Sequence, residues 1–262
     1  MNSFRQSVME VPAALIALVF LLIIFSLNWL GYRTRKRISK KNPDKDVTLG
    51  TAEGSLMGLM ALLLAFSFGM ATTKYESRRQ TIVDEANLLN TAILRSDLYF
   101  DSARQPIRYD LKSYLESRIN YYNAGDNPSK IQMALSEGNK CFASLWKKNV
   151  MLANDQTNRG RAEQMAPVLI SMKNMMITRE AGRVATVPAL IISVLLILVF
   201  VASFISGYGV KPGNRNILLS IAFALMTSVV LYLVMELGRP RQGYINLQNA
   251  EQKIEDLRTM FP

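Results

Sequence analysis

Four stretches of this chain contain no charged residue, and no other feature of the sequence restricts its fold as strongly. They run from Val11 to Tyr32, from Gly54 to Thr73, from Val184 to Val210 and from Asn216 to Met235. At about 1.5 Å per residue, each is long enough to cross a hydrocarbon core of about 30 Å. Buried helices of water-soluble proteins seldom stay free of charge for so long. The first stretch is too long for the apolar region of a signal peptide. It is followed by Tyr32-Arg33-Thr34-Arg35-Lys36-Arg37 rather than by a small-residue cleavage pattern, so it reads as a true span. The chain is expected to be an integral membrane protein with four helical spans and the lipid bilayer as its first partner.

The spans pair into two hairpins. Residues 1–73 hold the first, with spans at about 11–32 and 54–73; residues 184–237 hold the second, with spans at about 184–210 and 216–235. Between them, residues 74–183 carry 17 Lys+Arg and 12 Asp+Glu and belong outside the membrane. Apolar residues in this segment recur at helical spacing: Ile82, Ala86, Leu89 and Ile93; then Ile107, Leu111, Tyr114 and Ile119. After a breaker at Ala124–Ser129 come Ile131, Leu135, Phe142, Leu145 and Trp146. After a second, at Asn154–Gly160, come Val168, Leu169, Met172 and Met176, on a helix expected to run on into the third span. Residues 238–262 form a turn and an amphipathic helix, with Leu247, Ala250, Ile254, Leu257 and Phe261 on one face. No alternating strand pattern competes. The expected fold class is all-α: a four-span transmembrane protein whose hairpins flank an extramembrane helical bundle.

The chain has no His and one Cys, Cys141, which removes the commonest general base and the commonest metal ligand. No P-loop, no G-x-G-x-x-G and no Ser-His pair occurs. Neither an enzyme nor a cofactor or metal site is expected. Asp84 and Glu85 are adjacent, so on a helix they point about 100° apart and share no acid/base site. They read as ion-pair partners, with Glu85 directed at Arg78 and Arg79 on the preceding turns. The basic loop from Arg33 to Lys45 has no interleaved aromatics and suits anionic headgroups rather than nucleic acid. No charge lies within any span, whereas ion-coupled carriers usually place one at mid-membrane. Two functions survive: a passive channel, or a non-conducting membrane scaffold or sensor whose helical domain binds a partner.

The second span is the most informative. Gly54, Gly58, Ala65 and Gly69 fall on one side of it, in the small-xxx-small spacing that lets helix backbones approach closely in lipid. The adjoining side carries Leu59, Leu62, Leu63, Phe66 and Met70. That bulky face either meets lipid or a neighbouring helix, or, in a symmetric oligomer, makes a hydrophobic ring around the axis that gates by dewetting.

The run Gly54-Ser-Leu-Met-Gly-Leu-Met-Ala-Leu-Leu-Leu-Ala-Phe-Ser-Phe-Gly-Met-Ala carries a further signal. With Lys74-Tyr75-Glu76-Ser77-Arg78-Arg79 and Val83-Asp84-Glu85-Ala86-Asn87, it resembles the signature of the bestrophin-like domain family of bacterial membrane proteins. Thr91 and Arg95 continue the pattern, and Pro240 with Gly243 is similar to its C-terminal Arg-Pro-x-x-Gly turn. More distantly the second span resembles that of bestrophins, which are homopentameric anion channels. The resemblance implies a homo-oligomer, a pentamer, in a bacterial inner membrane, passing small anions. Leu59, Leu62, Phe66 and Met70 would line its pore, and Arg78, Arg79 and Arg95 a positive vestibule. Gly58 stands where the channels carry a large aliphatic residue, which widens that ring. The acidic calcium clasp of the animal channels has no counterpart. The first hairpin loop carries Arg33, Arg35, Lys36, Arg37, Lys40, Lys41 and Lys45 against Arg5 alone before the first span, which favours that loop in the cytoplasm and residues 74–183 outside, but counted over all span ends the two faces nearly balance; the resemblance instead places residues 74–183 in the cytoplasm.

Overall fold

A computed structural model describes residues 13–41, 50–185, 187–213, 215–239 and 244–261. The first residues of the first span, the end of the basic loop and the turn with Pro240 and Gly243 lie outside these. The described residues form helices α1 (Ala13–Lys41), α2 (Gly50–Ser96), α3 (Asp101–Asn123), α4 (Pro128–Ala153), α5 (Arg159–Val184), α6 (Ala189–Gly209), α7 (Ile217–Leu237) and α8 (Gln248–Glu255). A short 3₁₀ turn, Asp256–Met260, ends the chain, and among the described residues there is no strand. Four helices are long and apolar enough to cross a membrane. The all-α, four-span expectation holds.

The chain divides into two compact units, one of Met1–Lys74 with Thr186–Arg239 and one of Tyr75–Ala185 with Pro240–Pro262. In the first, Ile24 of α1, Met60 and Leu64 of α2, Leu195, Val199 and Ala202 of α6, and Ala224 and Leu231 of α7 make the core. Helices α1 and α6 approach closely. A Cβ added to Gly31 would strike the backbone carbonyl of Phe204, and one added to Gly207 that of Asn28. Only glycine on both helices lets the two backbones touch. Gly207→Val should therefore cost about 3 kcal/mol, because the obstacle is backbone and cannot rotate aside. A thermal melt in detergent should show a clear fall for Gly207→Val and none for Gly160→Ala, where an added methyl meets nothing.

The second unit packs α3, α4, α5 and α8 around the C-terminal half of α2. Leu89, Ile93, Leu111, Leu115, Leu145, Leu169 and Met172 are almost fully buried there. Most of the expected stripes supply this core, but Ile131 packs in a separate small cluster with Tyr121, Ala124 and Ala134, and Trp146 is exposed; Leu247, Ala250, Ile254 and Phe261 join the core, so the amphipathic C-terminus covers its apolar face inside the unit. Asn127 caps α4 by accepting from the Lys130 amide at 3.1 Å, with Pro128 next to it in the first turn. Gly125 takes a left-handed φ of +55° in the turn before it. One expectation needs correction. The helix bearing Val168 to Met176 does not continue into the third span: α5 ends at Val184, and α6 starts at Ala189 behind Pro188. Proline disfavours helical backbone in the residue before it, so the chain restarts there.

Candidate functional site

In the first unit α2 turns Met60, Leu64, Ser67 and Ala71 inward at spacings of four, three and four. The opposite side finds no packing partner among the described residues. Leu59, Leu62 and Phe66 are 49%, 51% and 59% exposed, while Met70 is half-buried at the edge of the stripe. At 100° per residue these three side chains lie within about 60° of one another. Ala65 and Gly69 are exposed beside them, and a Cβ added at Gly54, Gly58 or Gly69 would meet nothing. Of the residues singled out in the second span, the small ones and Leu59, Leu62 and Phe66 thus look outward, whereas Leu63 packs against the core of the unit and Met70 is half-buried. The close glycine contact within the chain belongs to Gly31 and Gly207 instead.

The charged residues expected near the end of this span all have partners. Arg78 is buried; its Nε donates to the Gly182 carbonyl at 3.0 Å and its Nη2 to that of Ala185 at 2.5 Å. It thereby holds the last carbonyls of α5, where a cation also meets the negative end of the helix dipole. Arg95 donates to the Gln164 carbonyl at the other end of α5. Arg79 is exposed and pairs with Glu76, 2.7 Å away, one turn earlier. Asp84 accepts from Gln80 at 2.9 Å.

Glu85 corrects the reading made of it. It forms its ion pairs not with Arg78 or Arg79 but with Arg118 of α3 and Arg179 of α5, and Arg179 also binds Glu251 of α8. A pair six or seven residues apart on one helix is separated by about 10 Å of rise, too far for a direct bridge. All four network residues are buried, Arg118 completely. Both guanidiniums also lie over the Tyr121 ring, at 4.6 and 5.2 Å from its centroid. Burial pushes the Glu85 carboxyl up, but the two guanidiniums outweigh it and hold it below the usual carboxylate range. Burial works against the Arg179 charge, and Glu85 and Glu251 overcome it. The network fastens four helices of the unit to one another. Among the described residues, no three His, Cys, Asp or Glu side chains come together as metal ligands.

A four-span, all-helical membrane protein with an outward Leu/Phe stripe on its second span is the class these features define. A family model, the Bestrophin-like domain, matches residues 18–251, and the chain belongs to that family. Among solved structures it is similar in fold to a bacterial bestrophin homologue from Klebsiella pneumoniae. In one mutant crystal form the TM-score is 0.74 at 12% identity, covering 94% of this chain and 99% of that one. In a second the TM-score is 0.72 at 11% identity, covering 92% and 98%. A crystal structure described as a membrane protein matches equally well, with a TM-score of 0.74 at 12% identity and coverage of 94% and 99%. No curated protein sequence matches the chain significantly.

Proposed function

We propose that this protein is a homo-oligomeric channel that passes small anions passively across the plasma membrane of a bacterium. Copies of α2 line its pore, Phe66 and Leu62 narrow it, and Leu59 and Met70 lie on either side. One observation carries this reading. Three large apolar residues, Leu59, Leu62 and Phe66, each about half exposed, form a face opposite the inward stripe Met60, Leu64, Ser67 and Ala71 and find no packing partner among the described residues. A ring of such faces makes a constriction that water and ions cross only when it wets. Residues 74–183 lie on the cytoplasmic side and form the vestibule. Arg95 binds a neutral carbonyl, which leaves its charge in place to attract anions. Asp84 lies on the same side of α2 in that unit, eleven residues from Arg95, and opposes it. Asp84→Asn should therefore increase the preference for chloride over sodium, read as a shift of reversal potential toward the chloride equilibrium value. No shift would remove Asp84 from the vestibule.

The assembly itself is tested by counting subunits of the detergent-purified protein by mass photometry. Five copies are expected. A monomer or dimer would leave α2 no axis to line and would contradict the reading.

A further inference from the structure

The turn between α6 and α7 carries a cation that the fold leaves unanswered. The chain folds back at Gly213, whose φ is +93°, and the Gly213 amide donates to the Tyr32 hydroxyl of α1 at 3.4 Å. Arg215 then lies over the Tyr32 ring, its guanidinium carbon 5.0 Å from the centroid. One turn further along α1, Arg35 is buried with its guanidinium over the ring of Tyr208, at the end of α6. Nε and Nη2 of Arg215 are both buried, and among the described residues neither has a hydrogen-bond partner. These two nitrogens share one edge of the guanidinium, whose parallel N–H groups grip two oxygens of a single phosphate. A buried edge of this kind is costly without an acceptor. The sequence offers no acid nearby on the same hairpin, since no Asp or Glu occurs between Glu180 and Glu236. The Glu53 carboxylate of α2 rests against Gly209 instead.

We propose that this edge of Arg215 binds the phosphate of an anionic phospholipid, at a site separate from the pore. Three features select a lipid over a free anion. Arg215 stands at the membrane boundary, between the third uncharged run and the fourth. Directly after it Ile217, Leu218 and Leu219 form the exposed first turn of α7, an apolar surface for acyl chains beside the headgroup contact. On α1 the exposed Arg33 lies over the exposed Trp29, at 4.9 Å, and such a ring with its cation settles at headgroup level. Among the described residues, Arg33, Arg35, Lys36, Lys211 and Arg215 gather at this end of the unit against Glu53. That balance favours an anionic lipid over a zwitterionic one, whose headgroup brings its own cation. Arg215 as a whole is only partly buried, so a change of rotamer turns its edge toward the bilayer.

Thermal melts of the full-length protein in detergent test this, with phosphatidylglycerol, phosphatidylcholine or inorganic phosphate added. Phosphatidylglycerol is expected to raise the melting temperature by about 5 °C, and the other two by less than about 1 °C. Arg215→Gln should remove most of the rise. Lys36→Gln, which takes the same charge from an exposed position on α1, should keep it. Arg215→Lys retains the charge without the fork, and it decides the matter if Arg215→Gln does not fold; it too should lose most of the rise. An undiminished rise in the Arg215 variants, or equal losses in Arg215→Gln and Lys36→Gln, would overturn the site and leave only general attraction between a basic surface and an acidic bilayer. A rise with inorganic phosphate as large as that with lipid would overturn the lipid as ligand. No rise with phosphatidylglycerol would overturn the proposal, and none of these outcomes bears on conduction.

Discussion

Phe66→Ala should raise the single-channel conductance of the reconstituted protein at least about twofold, because in a symmetric ring one substitution removes a phenyl group from every subunit at the same height. The wider, less apolar ring also wets more readily, so the open fraction should rise with the conductance. Phe66 is the largest side chain of the outward stripe and, at 59% exposed, makes little contact with its own chain. Its truncation therefore leaves no cavity in the packed core formed by Met60, Leu64, Leu195 and Val199. The variant should melt within a degree or two of the unmodified protein. An unchanged conductance would remove Phe66 from the pore, and a large loss of stability would show instead that the face packs against protein.

The second large effect is on stability. Glu85→Ala leaves Arg118 and Arg179 buried with their shared counter-ion gone and should cost about 3–5 kcal/mol in the extramembrane unit. Removing one partner of a buried network is far costlier than never having built it, because the remaining charges stay desolvated. The pH dependence follows from the same group. The Glu85 carboxyl is held below its ordinary range in the folded state, so its stabilisation is fully present above that range and is lost as pH falls through it. The melting temperature should decline steadily as pH drops from about 5 toward 3, and Glu85→Gln should flatten part of that decline. Melting curves of the two proteins that run parallel through this window would mean that Glu85 is not the titrating support. A cost for Glu85→Ala below about 1 kcal/mol would contradict the network's role.

The spans and the bundle were legible because their physics is local. An uncharged run of twenty residues has few other uses, and apolar stripes at helical spacing must be buried. The site was less so. Arg118 and Arg179 continue the core stripes Leu111-Tyr114 and Met172-Met176, and a charged residue at a core position is a visible sign of a buried ion pair. Which carboxylate answers it depends on how helices far apart in sequence pack, and spacing carries no such information. The Gly31–Gly207 crossing left a trace in the small pair Ser203-x-x-x-Gly207. The second span offered a longer run of small residues, and its Gly54, Gly58 and Gly69 meet nothing within the chain. A small-residue motif says that a backbone can be approached, without saying by which helix or by which copy. The break between α5 and α6 was readable from Pro188, but the uncharged run across it masked the signal.

Conduction is tested by recording from the purified protein in a planar bilayer under a chloride gradient. Discrete currents that reverse near the chloride equilibrium potential are expected. A membrane that stays silent with protein shown to be inserted and assembled would contradict it, and would leave a family member that holds a membrane surface rather than opening it.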